Sequence, residues 1–266
     1  MSAAGGRPVD QRRRPSLHEL RAVTQPESTM NRRNAEHWLA RLLLRKVSLR
    51  VTALLIRTPV SANALTGAMI VVGLIGAAVV GLVPGLWGAL LAFVLIQAYF
   101  LLDLCDGEVA RWRRTTSITG VYLDRVGHYL VEAAVLAALG FRAGGQSLGG
   151  WSTLGLAAGL WVVLVKAETD LVDVARVRSG APAAAEESVE LRSSSLGAMR
   201  RAAQVLKVHQ ITGALEVSFV LLAAAVVDAV AGDLLGARVM MVLMAAVAGV
   251  QVVLHHASIL LSRRLA

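Results

Sequence analysis

Residues 101–130, "LLDLCDGEVARWRRTTSITGVYLDRVGHYL", place acidic side chains beside some of the most apolar sequence in the chain. A carboxylate in or next to a lipid bilayer is energetically costly, so it usually has a function. Asp103 and Asp106 are three residues apart and would share one face of a helix. Asp124 and His128 are four apart and would share a face of a second helix.

These four side chains can do chemistry together if the two helices are antiparallel neighbours joined by a short link. Clustered carboxylates repel each other unless cations neutralise them, and their hard oxygen ligands suit Mg²⁺, Mn²⁺ or Ca²⁺. Paired divalent ions with a nearby base are a common apparatus for displacement at phosphorus. The single cysteine, Cys105, excludes an intrachain disulfide, and we interpret it as a small helix residue.

The composition indicates the kind of protein that positions these residues. The chain has 266 residues, of which 56% are hydrophobic and only 17% charged, which favours a polytopic membrane protein over a soluble domain. The net charge of +9 could suggest nucleic acid, but that footprint would be a basic face on a soluble module. Here the basic residues lie between apolar runs, so we expect membrane lipids and no nucleic acid as partners.

Hydropathy divides the chain into three parts. Residues 1–33 are rich in Arg, Pro, Gly, Ser and Gln without a period and are predicted to be a disordered cytoplasmic tail. Residues 34–57 are predicted to form a juxtamembrane amphipathic helix on an anionic leaflet, with Leu39, Val47 and Leu54 on its apolar stripe. Residues 58–266 are predicted to form a domain of six membrane-spanning helices.

Six apolar runs carry that last prediction, because a span needs about 20 residues. They are Asn63–Leu82, Leu86–Leu102, Ile118–Leu139, Leu148–Val165, Ile211–Ala231 and Val239–Leu261. Long alternating patterns do not recur, so the predicted fold class is all-α. "GLAAG" at residues 155–159 has the spacing of small residues that lets helices approach closely.

Arginine and lysine residues orient the predicted bundle. They crowd the N-terminal region, the link after the second run and the segment after the fourth, whereas the alternate links carry few. This asymmetry predicts that both termini and the acidic stretch face the cytoplasm. The expected location is the plasma (inner) membrane.

The run D-x2-D-G-x2-A-R-x8-G-x3-D is similar to the signature of the CDP-alcohol phosphotransferases. The matching residues are Asp103, Asp106, Gly107, Ala110, Arg111, Gly120 and Asp124. "TPVSANALT" at residues 58–66 also resembles the segment that precedes the first span in that family. The six predicted spans, the cytoplasmic site and the juxtamembrane helix agree with the resemblance.

The resemblance implies a transferase of phospholipid biosynthesis that displaces CMP from a CDP-linked donor, expected to be CDP-diacylglycerol, with an alcohol hydroxyl. It implies two divalent ions, Mg²⁺ or Mn²⁺, and a homodimer. Asp103, Asp106 and Asp124 match the metal-binding aspartates. Gly107, Ala110, Arg111 and Gly120 match the part that holds the CDP moiety.

The chain departs from the family at His128, where the signature ends in a fourth aspartate that is thought to be the base. Three interpretations remain open. His128 is the base, because an imidazole is a proton acceptor near neutral pH. It is a neutral metal ligand in place of a carboxylate. Otherwise the enzyme is inactive or takes its base from elsewhere, with Glu132 as a candidate.

The acceptor alcohol is not determined by the motif. Lys166 and the basic residues from Arg176 to Lys207 could hold a phosphorylated acceptor, although the positive-inside rule alone explains them. Glu216, within the fifth run, could line the acceptor pocket, whereas His255 and His256 are interpreted as interfacial. The alternatives to the leading function are transfer of a CDP-linked head group to a lipid alcohol, an inactive membrane scaffold, and a small transporter.

Overall fold

A computed structural model describes residues 15–26, 44–180 and 213–261 of the chain. Over these residues the protein is built from helices with no strand, which confirms the all-α prediction. The helices are α1 (Leu17–Thr24), α2 (Arg45–Leu55), α3 (Ala62–Leu82), α4 (Gly85–Arg113), α5 (Ile118–Ala143), α6 (Gly150–Arg178), α7 (Ala214–Ala231) and α8 (Leu235–Leu261).

Helices α3 to α8 are the membrane-spanning elements, and each is long and apolar enough to cross a bilayer. The shortest, α7, has 18 residues, which at about 1.5 Å per residue approaches the ~30 Å thickness of the hydrocarbon core. The prediction of a multi-pass membrane protein with six spans is therefore confirmed.

Two spans continue well past the apolar runs that predicted them. Helix α4 extends beyond Leu102 to Arg113, and α6 extends beyond Val165 to Arg178. Hydropathy detects only the apolar part of a helix, whereas the backbone hydrogen-bond ladder continues into polar sequence. The first half of the acidic motif therefore lies on α4 itself.

Helix α1 lies inside the predicted disordered tail, and that prediction is wrong for residues 17–24. The Ser16 hydroxyl accepts a hydrogen bond from the Glu19 backbone N–H, which caps the helix. Leu20 is fully buried against Leu49 and Trp112. A single apolar anchor and a cap were too weak a pattern to predict a helix, because its stability comes from tertiary contacts. Residues 1–14 and 27–33 of the predicted tail lie outside the described residues.

Helix α2 lies within the predicted juxtamembrane segment, while residues 34–43 lie outside the described part of the chain. Its apolar residues Val47 and Leu54 are exposed, whereas apolar Leu49 is buried together with polar Arg45, Ser48 and Thr52. An exposed apolar stripe is what the predicted position against a lipid surface requires.

The chain divides into two compact units. The first unit comprises Met1–Ala68 and Phe100–Asp124, and the second comprises Met69–Tyr99 and Arg125–Ala266. In the first unit, α1 packs against α2, and the Leu20 cluster forms an apolar core.

In the second unit, α8 packs against both α6 and α7, and α5 approaches α6 through glycines. A Cβ added at Gly155 would lie 2.8 Å from the Cα of Gly140, and one at Gly159 would lie 2.9 Å from the carbonyl oxygen of Ala133. The close approach that the small residues of "GLAAG" allow is present between these two helices.

Candidate active site

The first unit brings together two carboxylates of the acidic motif, those of Asp103 and Asp124. Helix α4 ends at Arg113 and α5 begins at Ile118, so only a short link separates them. Arg114 has a left-handed backbone with a φ of 55°, and the Thr115 N–H donates to the Ala110 carbonyl, which ends α4 and reverses the chain. As a result, Asp103 and Asp124 offer carboxylate oxygens within 4.8 Å of each other.

Asp106 is held by a different element. It is almost fully buried, at 8% exposure, and its carboxylate accepts a hydrogen bond from the Thr66 hydroxyl on α3. Thr66 belongs to the "TPVSANALT" segment, so that segment helps to orient a motif carboxylate. The sequence contained this signal only as a family likeness, without indicating which residue pairs with Asp106.

The donor set of the first unit fits a divalent cation. Half-buried Asp103 and Asp124 supply oxygen atoms close enough to share one ion of Mg²⁺, Mn²⁺ or Ca²⁺ size. Oxygen-rich sites of this kind select hard cations. The residues present are therefore compatible with the metal that the family resemblance implies.

Two of the residues predicted to hold the CDP moiety are glycines, and another side chain lies close to each of them. A Cβ added at Gly107 would lie 3.1 Å from the Nη1 atom of Arg111, so the guanidinium rests directly against this glycine. A Cβ added at Gly120 would lie 3.0 Å from the Oδ1 atom of Asn63. Ala110, on α4 between Gly107 and the link, is half-buried.

Glu108 is a motif residue that sequence reasoning missed. It is fully buried, and its carboxylate accepts hydrogen bonds from Gln25 (2.8 Å), Ser48 (2.8 Å) and Thr52 (2.7 Å). Arg45 Nη1 lies 3.5 Å from the same carboxylate. Burial lowers the pKa of the Arg45 guanidinium, and the Glu108 charge partly opposes this shift. Glu108 thus ties α2 and the residue after α1 to the motif helix.

Arg113 also has a structural role that its charge did not reveal. Its guanidinium donates to the carbonyl oxygens of Leu55 (3.1 Å), Thr58 (2.6 Å) and Val60. These carbonyls lie at the end of α2 and in the segment leading to α3. Arg113 therefore anchors the chain that enters the first span.

His128 belongs to the second unit and lies one turn after Asp124 on α5. Its Nδ1 atom is 2.6 Å from the hydroxyl oxygen of Tyr99, a fully buried residue of α4, and the two rings meet edge to face. In the tautomer whose Nε2 can accept a proton, Nδ1–H donates to the tyrosine oxygen. Tyr99 is a further residue that the sequence did not indicate.

The predicted acceptor-side residues are engaged in contacts within the second unit. Lys166 Nζ donates to the buried Glu132 carboxylate at 2.7 Å, so this pair connects α6 to α5. Glu216 lies in the first turn of α7, where the positive end of the helix dipole favours a carboxylate. Residues 181–207, with their arginines, lie outside the described part of the chain.

The end of α6 that is predicted to face the cytoplasm makes several more polar contacts. Asp170 accepts hydrogen bonds from Arg125 (2.9 Å) and from Tyr129. His255 and His256, interpreted from the sequence as interfacial, contact Thr169 at 3.1 Å and Glu168 at 2.9 Å, respectively. These contacts link α6 to α5 and α8, and a hydropathy pattern does not predict which side chains make them.

Six apolar helices, two of which carry the acidic motif, define an integral membrane protein. The CDP-alcohol phosphatidyltransferase family model matches residues 59–262, which is most of the chain, and the chain belongs to this family. A search of curated proteins finds no match.

Membership confirms the predicted resemblance and gives the class of activity, a phospholipid-type transfer from a CDP-alcohol within a membrane. The family depends on divalent metal, and the carboxylates of the first unit provide a suitable donor set.

Proposed function

We propose that the protein transfers a phosphatidyl group from CDP-diacylglycerol to the hydroxyl of an alcohol, releasing CMP. The observation that carries this proposal is the approach of the Asp103 and Asp124 carboxylates to within 4.8 Å, within a motif that matches the family. A lipid donor with its nucleotide head at the membrane surface suits a site built from the ends of spanning helices.

Asp103, Asp106 and Asp124 are the proposed metal ligands, and two ions of Mg²⁺ or Mn²⁺ are expected. Ligation by His128 is the alternative to its role as the base. When bound, such ions neutralise the diphosphate and stabilise the charge that develops on the departing CMP. The hydrogen bond from Thr66 orients Asp106 on α4, which supports a fixed ligand geometry.

Gly107, Ala110, Arg111 and Gly120 are proposed to bind the CDP moiety. The absence of side chains at the two glycines lets Arg111 and Asn63 lie close to the helix backbone. The Arg111 guanidinium, with its planar set of donors, suits a diphosphate oxygen pair. Its position against Gly107 supports a role on the same helix face as the aspartates.

We assign His128 as the base for the acceptor hydroxyl. The hydroxyl proton moves to Nε2 of the imidazole as the alcohol oxygen forms a bond to the phosphorus that carries diacylglycerol. The bond from that phosphorus to the bridging oxygen breaks, and CMP leaves with the electron pair. The contact between Nδ1 and Tyr99 supports this role, because it holds the ring in one orientation.

The protein is further proposed to be a homodimer in the inner membrane, with its termini and site facing the cytoplasm. The basic residues at the ends of α4 and α6, such as Arg111, Arg113, Arg176 and Arg178, support this orientation.

The test is an assay of CMP release from the purified protein in lipid nanodiscs. CDP-diacylglycerol would be supplied with a panel of acceptors: glycerol phosphate, inositol, inositol phosphate and serine. CMP release that depends on one acceptor supports the proposal and names the alcohol. Release only from a CDP-linked head group with diacylglycerol would instead establish the reverse arrangement, and no release with any pair would indicate a scaffold.

His128→Ala and His128→Asp test the base, with exposed His18→Ala as the matched control. General-base catalysis contributes typically ~10²–10⁴-fold, so we expect His128→Ala to lose activity in that range. His128→Asp restores the family residue and should retain more activity than the alanine variant. Full activity of His128→Ala would remove the base assignment.

A further inference from the structure

The last residue of α1, Thr24, and the residue that follows it, Gln25, contact the motif helix α4 beside the proposed nucleotide site. The Thr24 carbonyl oxygen accepts a hydrogen bond of 2.6 Å from Nε of Arg111. The Gln25 amide donates to the Glu108 carboxylate at 2.8 Å and to the Arg45 carbonyl at 3.3 Å. These contacts come from a segment outside residues 59–262, which the family model matches.

Helix α1 holds these two residues in place. Leu20 has no exposed surface and packs against Leu49 of α2 and Trp112 of α4. Thr24 is also fully buried, and its hydroxyl donates to the Leu20 carbonyl at 2.8 Å. The helix is therefore docked through its apolar side, with its C-terminal end directed at α4.

The hydrogen bond to Thr24 restricts the Arg111 side chain at Nε, and the terminal nitrogens of the guanidinium pack against Gly107. Nη1 and Nη2 of Arg111 would lie 3.1 and 3.3 Å from a Cβ at Gly107, so the guanidinium lies along the helix surface next to Asp106 and Glu108. With Nε bound to a carbonyl, the two terminal nitrogens are the donors that remain for a bidentate contact with phosphate. An arginine already ordered in this way loses less side-chain entropy when a ligand binds.

We propose that α1 with Thr24 and Gln25 forms a positioning strap, which orients Arg111 for the diphosphate of the CDP-linked donor. The inference rests on the proposed function, and it assigns a role to a segment that the family match does not include. Gln25 holds the strap in place through its hydrogen bond to Glu108, which lies about one helical turn before Arg111 on α4. Thr24 orients the Arg111 guanidinium directly. The strap acts on binding of the nucleotide and leaves proton transfer at His128 unchanged.

The test compares two substitutions on the same short helix. Leu20→Asp places a charge in the apolar contact with Trp112 and should undock the strap. Leu17→Asp adds the same charge at an exposed position, 47% accessible, and is the control. Gln25→Glu provides an independent variant, because it sets a second carboxylate against Glu108 without altering the apolar contact.

Two measurements are made in nanodiscs with Mg²⁺ present: the affinity for CDP by calorimetry, and kcat and KM in the CMP-release assay. Ordering one long side chain costs an amount equivalent to about a 2- to 10-fold change in affinity. We expect Leu20→Asp and Gln25→Glu to raise the Kd for CDP and the KM for the donor by this factor. The kcat and the KM for the acceptor should stay at wild-type values, as should every value for Leu17→Asp.

Wild-type affinity for CDP in either strap variant would overturn the proposal. A fall in kcat and in acceptor binding as large as the fall in CDP affinity would also overturn it, because that pattern marks a general structural defect. If Leu20→Asp does not yield folded protein, Gln25→Glu decides by the same criteria. Weaker CDP binding by the variants, in a protein whose wild type releases no CMP, would retain the strap while rejecting the proposed function.

Discussion

Truncation of Glu108 to alanine should release α2 from the motif helix. Glu108 is fully buried and is the shared acceptor for Gln25, Ser48 and Thr52, with Arg45 Nη1 at 3.5 Å. Arg45 itself is only 7% exposed, so the alanine variant leaves a buried guanidinium without its carboxylate. Breaking a buried ion pair from one side costs about 3–5 kcal/mol, and we expect a loss of that size in the stability of α2.

Hydrogen exchange read by mass spectrometry measures this loss locally. Because about 1.4 kcal/mol corresponds to a tenfold change, exchange in the α2 residues Arg45–Leu55 should accelerate by roughly 10²-fold to 4 × 10³-fold. Peptides of α8, in the second unit, serve as the internal control and should exchange as in the wild type.

A second substitution separates the ion pair from packing. Replacing both members of a buried pair with apolar residues is often neutral, whereas removing one is not. Arg45→Met added to Glu108→Ala should therefore recover at least about 1 kcal/mol of α2 protection. The reasoning fails if Glu108→Ala exchanges within about threefold of the wild type, or if the effects of the two substitutions simply add.

Three further predictions concern other parts of the chain. Gly155→Ala should lower the thermal stability of the protein in detergent by about 1–3 kcal/mol, because the new Cβ would lie 2.6 Å from a backbone oxygen of α5, whereas Gly150→Ala, which meets nothing within 4 Å, should not. Lys166→Met should destabilise the fold by about 2 kcal/mol, because it leaves the buried Glu132 carboxylate without its charged donor; Lys166→Arg should restore most of the loss, and equal unfolding temperatures for the two variants would contradict this account. Chelation of divalent ions should abolish CMP release, and added Mn²⁺ or Mg²⁺ should restore it; undiminished release in chelator would exclude the metal role of the aspartates.

The architecture of the spans was accessible from the sequence because its cause is local. Transfer of a helix into lipid depends on about 20 consecutive residues, so hydropathy alone located the six spanning helices that the described part of the chain contains. The polar ends of the helices were harder to predict from the sequence, as the extension of α4 to Arg113 and of α6 to Arg178 shows. Helices continue into water wherever their backbone ladder is supported, and hydropathy carries no signal for that.

The candidate site was likewise predictable from the sequence in part. The spacing of Asp103 and Asp106 followed from helical periodicity, and the short link to α5 made an approach to Asp124 predictable. Glu108 occupies a variable position of the signature, so nothing in its immediate surroundings in the sequence indicated a buried acceptor.

Sequence by itself determined the class of protein, the order of its spans and the residues of the acidic motif, since each depends on short-range periodicity or on residue types at fixed spacing. Only the tertiary structure decided which partners hold those residues: Thr66 for Asp106 across 40 positions, and Gln25 for Glu108 across 83. A hydrogen bond selects its partner by distance in space. Contacts between residues so far apart in the chain exist only after the helices have packed.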